Sequence, residues 1–262
     1  MERPGAGGPR GPHRPRPAGA DALAAQRRGG RDRPAVARPL EPALPTNIDV
    51  TELAPEVRAE LRSLPAPIAE RVAAHLVAAA RFLTDEPERA RAHASYARAV
   101  GSRIAAVREA AGITAYLVGD YAAARAELRA ARRMTGRPDH LPLLADCERG
   151  LGHPERAIAL AREPDAEQLD RAARIELRIV ESGARRDLGE YAAAVSVLAG
   201  PELEPASVQP WTLRLWYAYA DALLAAGRPD EAREWFAATA GADEDGETDA
   251  EERVAALDDE PA

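Results

Sequence analysis

The feature of this sequence that most restricts its fold is a chain break that keeps recurring. Residues that end one helix and open another stand together at Thr84-Asp85-Glu86-Pro87, Gly119-Asp120, Gly152-His153-Pro154, Gly189-Glu190 and Gly227-Arg228-Pro229, with a further break at Gly136-Arg137-Pro138. Glycine relaxes the backbone at a helix end, and proline or an acidic residue suits the first turn of the next helix. Counted from Asp85 to Gly119, Gly152, Gly189 and Gly227, the steps are 34, 33, 37 and 38 residues. Such regular spacing predicts stacked copies of one small unit rather than a single central core.

Between the breaks the pattern is helical. Ile104, Val107, Ala111, Ala115 and Val118 recur at the three-and-four spacing of one helix face, Ala123 to Met134 and Trp211 to Ala226 behave likewise, and no long stretch alternates with period two. A short helix is expected near Pro55 to Leu64. Aromatic residues make up only 4% of the chain while alanine dominates, so a dense core requires helices that approach closely on small side chains. The fold class is therefore all-α.

Small residues stand where such an approach would occur. Five residues after each break comes alanine (Ala90, Ala124, Ala157, Ala194, Ala232), and seven residues before it come Ala78, Gly112, Ala145, Ser182 and Ala220. Larger residues alternate with small ones nine after it, at Ala94, Leu128, Ala161, Leu198 and Phe236. With these offsets the sequence resembles the tetratricopeptide (TPR) family over about Ile68 to Ala240. The best copy runs from Ala111 to Ala124, and Gly227 to Ala232 followed by Trp235-Phe236 is nearly as good. The resemblance extends to a group of bacterial tetratricopeptide proteins, in keeping with the bias to alanine and to arginine without lysine. It implies a right-handed α-α solenoid of about five TPR-like helix pairs over residues 47–240. Pro164 in the third unit, and Glu181 with Ser182 in the fourth, depart from the pattern and mark units where distortion is expected.

In such a stack the first helix of every pair lines the concave side. By repeat phase the side chains there are His75, Glu109, Tyr116, Asp146, Arg149, Glu176, Arg186, Arg214, Tyr217 and Asp221, which form the candidate groove. The resemblance implies a scaffold or adaptor that receives an extended peptide or a helix of a protein partner. A carboxylate clamp built on lysine and asparagine is disfavoured, because lysine is absent and the one asparagine, Asn47, lies outside the repeats. The mixed lining fits either a partner of both charge signs or a network of the groove's own ion pairs.

The ends carry opposite charge. Residues 1–46 are Pro, Gly, Arg and Ala without periodicity, with nine arginines against Glu2, Asp21, Asp32 and Glu41, a balance of +5, and are expected to be disordered. From about Gly241 to the end, ten acidic residues face Arg253, a balance of −9, in a tail expected to be mobile apart from a short helix at Asp249 to Leu257 that would cap the last unit. The basic end opens an alternative function, RNA or ribosome association through charge. Folding back on the acidic tail is the competing reading of the same segment.

Several chemistries are disfavoured. His140, Cys147 and His153 stand seven and six residues apart, which does not bring them together on one helix, so no metal site is expected. No strained glycine elbow carries a serine or cysteine nucleophile, and no glycine-rich loop leads into a lysine, so neither an enzyme nor a cofactor is expected. His75 and His93 are expected to face each other across one helix pair, and Trp216, Tyr219 and Phe236 to form the core of the last unit. Trp211 and Tyr217 are less explained by packing and would make a natural hot spot if exposed. No stretch reads as a signal peptide or membrane span, and the lone Cys147 suits a reducing cytoplasm, the expected location.

Overall fold

A computed structural model describes residues 40–204 and 208–259. Among these residues the structure is all-helical, with no strand. The α-helices are α1 (Pro55–Leu61), α2 (Ala66–Arg81), α3 (Pro87–Gly101), α4 (Ala105–Leu117), α5 (Tyr121–Thr135), α6 (Leu141–Gly150), α7 (Pro154–Ala161), α8 (Arg171–Asp187), α9 (Tyr191–Leu198), α10 (Thr212–Ala225), α11 (Pro229–Ala242) and α12 (Ala250–Asp259). From α2 to α12 each helix packs on the next one in sequence. The even-numbered helices from α2 to α10 also pack on the next even-numbered helix.

The turns that carried the repeat signal share one backbone solution. Gly119, Gly152, Gly189 and Gly227 have φ between +74° and +76°, a region that L side chains enter only at a cost. At each, the glycine N–H donates three residues back and the next N–H donates five back, as in Asp120 N to Ala115 O at 2.9 Å and Arg228 N to Leu223 O at 3.0 Å. This doubly bonded ending satisfies carbonyls that would otherwise be orphaned and turns the chain sharply into α5, α7, α9 or α11.

The small residues before these turns sit at the crossings. Ala78, Ala145 and Ala220 are fully buried, and Ser182, in place of a still smaller residue, donates its hydroxyl to Ala194 O at 3.0 Å. Ser182 is thus buried with its hydroxyl satisfied. A Cβ added at Gly112 would lie 2.6 Å from Leu128 Cγ and 3.2 Å from the Leu128 backbone nitrogen. Gly112→Ala is therefore expected to lower stability by about 1–2 kcal/mol, because overpacking outweighs the roughly 1 kcal/mol gained in helix propensity. Chemical denaturation of both proteins measures the difference.

The third and fourth units do differ from the others, in their second helices. α7 and α9 span 8 residues each, against 15 for α3 and α5. Past α7, Pro164 opens a 3-10 turn (Pro164–Gln168), and past α9, Gly200-Pro201 opens another (Pro201–Leu203), since proline lacks the N–H that would continue the helix. The largest apolar cluster lies at the C-terminal end, around Leu215, Trp216, Leu223 and Phe236. Tyr219 and Trp235 pack on it, their rings edge to face at 5.3 Å.

The acidic C-terminal stretch contributes to this end. α12 packs on α11 through Ala250, which is buried, and through the half-buried Val254 and Leu257. Arg233 on α11 is paired to Asp258. At the other end, residues 40–53 follow α2, with Glu41 beside Arg71 and His75, and Arg81 reaching Asn47 O and Glu52. Residues 1–39, which hold most of the segment expected to be disordered, lie outside the described residues.

Candidate functional site

Nine of the ten candidate groove residues belong to polar contacts that join successive even-numbered helices. Tyr116 on α4 donates its hydroxyl to Asp146 on α6 at 2.5 Å, and Asp146 lies 3.5 Å from Arg149. Arg149 reaches Asp187 on α8 at 2.7 Å. Arg186 on α8 pairs with Asp221 on α10 at 3.3 Å, and Glu176 pairs with Arg214 at 2.7 Å. Glu109 stands 3.6 Å from His140, at the start of α6, and this histidine holds its carboxyl below the usual range. Burial raises the Tyr116 phenol, and the Asp146 carboxylate raises it further.

His75 is placed elsewhere. It is fully buried, its Nδ1 2.9 Å from Nδ1 of His93 on α3, so it lines the interior and not an open surface. Among the described residues no helix pair precedes α2, and Glu41 covers this side of it with a carboxylate 3.4 Å from His75 Nε2. One ring donates and the other accepts, which requires at least one neutral imidazole. Burial depresses both histidines, opposed at His75 by Glu41 and reinforced by Arg71 there and by Arg89 at His93.

Since the folded pair binds protons less readily than the unfolded chain, its stabilising contribution is present above the unfolded value near 6.5 and is lost as pH falls through the folded values. Melting from pH 7 down to about 5 is expected to show a steeper loss for the native chain than for His75→Gln/His93→Gln. Equal slopes would refute this assignment.

The C-terminal end of the same face is completed by residues that sequence phase did not include. Arg253 on α12 donates to Asp221 and to the Tyr217 hydroxyl, each at 2.9 Å, and Tyr217 donates to Asp249 at 2.5 Å. The Arg253 guanidinium also lies 4.5 Å from the Phe236 ring centre. Tyr217 is therefore engaged and only half-exposed, and burial followed by the Asp249 bond raises its phenol. Trp211 is half-buried under Arg171. The one sequence signal for this arrangement was Arg253 itself, a lone cation in an acidic stretch.

Between α8, α10 and residues 247–249 lies an open cavity of about 500 Å³. Its lining combines Ile179, Ala218 and Tyr217 with Arg186, Arg214 and Asp221 on the helices, and with Glu247, Thr248 and Asp249 on the loop. A second cavity of about 220 Å³ is almost wholly apolar, lined by Leu53, Val57, Leu76, Ala106, Ala110 and Ile113, with Glu109 at its side. Both involve even-numbered helices.

No protein-family model and no curated protein matches this chain.

Other chemistry-bearing residues are placed apart from these cavities. Cys147 is buried and its thiol is pushed up to about 12 by that burial. Among the described residues no three His, Cys, Asp or Glu side chains converge as a metal ion would need. No helix among them is long and apolar enough to cross a membrane. On the odd-numbered side, Glu148 of α6 is completely buried, with Arg129 at 2.6 Å, Arg125 at 3.1 Å, His153 at 3.5 Å and Arg156 at 3.8 Å.

Proposed function

We propose that this chain is a bacterial tetratricopeptide-type solenoid, right-handed and of about five helix pairs, that acts in the cytoplasm as a non-enzymatic adaptor holding a peptide or protein segment against its even-numbered helices. The solenoid reading is supported by the four left-handed glycine turns at repeat spacing and by helices that pack on the next-but-one neighbour. The even-numbered helices then line the concave side. The observation that carries the binding reading is the cavity of about 500 Å³ between α8 and α10, where apolar and charged groups meet as a peptide side chain and its backbone require.

The ion pairs along the same face hold the helices in register and leave the cavities as the places where a partner gains contact. The test is site-specific photo-crosslinking in a native lysate, with the photoreactive residue at Ala218 in the cavity or at Arg133 on α5. A protein crosslinked from Ala218 and not from Arg133, and retained when the chain starts at Leu40, agrees with the proposal. Crosslinks confined to Arg133, or recovery of RNA that depends on residues 1–39, would overturn it in favour of a different surface or of the basic end.

A further inference from the structure

Resting on the groove reading above, we propose that the cavity between α8, α10 and residues 247–249 selects a basic peptide, seating the aliphatic stem and cationic head of an arginine or lysine side chain. Some of the charges there already face an opposite charge. Both guanidinium groups of the lining face a carboxylate, Arg214 that of Glu176 at 2.7 Å and Arg186 that of Asp221 at 3.3 Å, although Asp221 is shared with Arg253 and the buried Arg186 Nε has no hydrogen-bond partner among the described residues. The loop carboxylates form no direct ion pair among the described residues: Glu247 faces no cation, and Asp249 accepts from the Tyr217 hydroxyl, which Arg253 also bonds. The cavity therefore carries three carboxylates, two of them without a direct ion pair among the described residues, against two guanidinium groups.

The apolar part of the lining decides the kind of cation. Ile179, Ala218 and the Tyr217 ring offer a surface on which the methylene stem of a long basic side chain can lie while its head stays near water and the carboxylates. A small inorganic cation would gain nothing from that surface. An acidic peptide would meet Glu247 and Asp249 at the loop.

The charge of the whole body points the same way. The full chain carries −8 and residues 1–46 carry +5, which leaves −13 on residues 47–262. Such a field accelerates the approach of a basic segment and repels an acidic one.

The test uses the full chain and three short fluorescent peptides of alternating leucine with arginine, citrulline or glutamate, measured by anisotropy. The arginine peptide is expected to bind, and the citrulline peptide, of the same shape without the charge, to bind more weakly. Glu247→Gln/Asp249→Asn is expected to weaken the arginine peptide by about fivefold or more, and Glu70→Gln/Glu88→Gln, which removes the same charge from the exposed surface of α2 and α3, by less than about twofold. Glu247→Gln alone guards against loss of the Tyr217–Asp249 bond, and circular dichroism checks folding.

Equal weakening by both double variants would mean that only net charge matters and would overturn the inference. So would preference for the glutamate peptide, or absence of binding by all three. These outcomes leave the crosslink from Ala218 as an independent reading of whether the groove binds anything, so the two proposals fail separately.

Discussion

Arg125→Ala/Arg129→Ala is expected to destabilise the protein by about 3–5 kcal/mol, more than Glu148→Gln at the carboxylate they hold. Glu148 is completely buried, whereas the side chains of Arg125 and Arg129 are 26% and 46% exposed. Removing the two arginines leaves a carboxylate without its close partners and without water, facing only His153 and Arg156 at the rim of hydrogen-bond distance. Removing the carboxylate instead, as in Glu148→Gln, frees guanidinium groups that can turn to solvent, and the expected loss is about 1–3 kcal/mol. Adding Glu148→Leu to the double variant is expected to recover much of its loss, because an apolar residue needs no partner there. Urea unfolding of the four proteins orders them, and a larger loss for Glu148→Gln than for the arginine pair would show that the burial of Glu148 is not what sets the cost.

Phe236→Ala is expected to cost a similar amount, about 3–5 kcal/mol, through lost transfer energy and the cavity left behind. The side chain is fully buried in the largest apolar cluster, edge to face with Tyr217 at 5.2 Å. Its second effect is local. The Arg253 guanidinium rests against the Phe236 ring, and the remaining apolar contacts of α12 are only partly buried, apart from Ala250. In this variant trypsin is expected to cut after Arg253 before the rest of the chain opens. If Arg253 stays as protected as the helices around Leu215, α12 is held by something other than the contact with Phe236.

What the sequence revealed and what it hid divide along one physical line. Gly119, Gly152, Gly189 and Gly227 were visible because a left-handed turn all but requires glycine, so a backbone angle left its mark in composition. Ala78, Ala145 and Ala220 were visible because close helix crossings exclude larger side chains. Helical phase also grouped Tyr116 with Asp146 and Arg186 with Asp221, which lie within contact distance.

Phase did not separate His75, which faces the helix that follows and a segment that returns from Glu41, from residues on the open face. Nor does any local pattern mark Arg253 as the partner of Asp221, or Glu148 as the hub for two arginines a turn apart on the preceding helix. These contacts join positions about 20 to 35 residues apart that do not share a position on the groove-facing side of successive units, so neither helical phase nor the repeat spacing groups them.

The contacts between helices share one chemical property that follows from the absence of lysine. Every cation in them is a guanidinium or an imidazole. Guanidinium stays protonated at any pH a cell reaches, and neither group is an amine. Acetylation, ubiquitination and other modifications that acylate a lysine amine thus have no side chain in this sequence to act on. The charge on the interhelical cations is accordingly closed to that form of covalent control, whatever enzyme the cell directs at the protein.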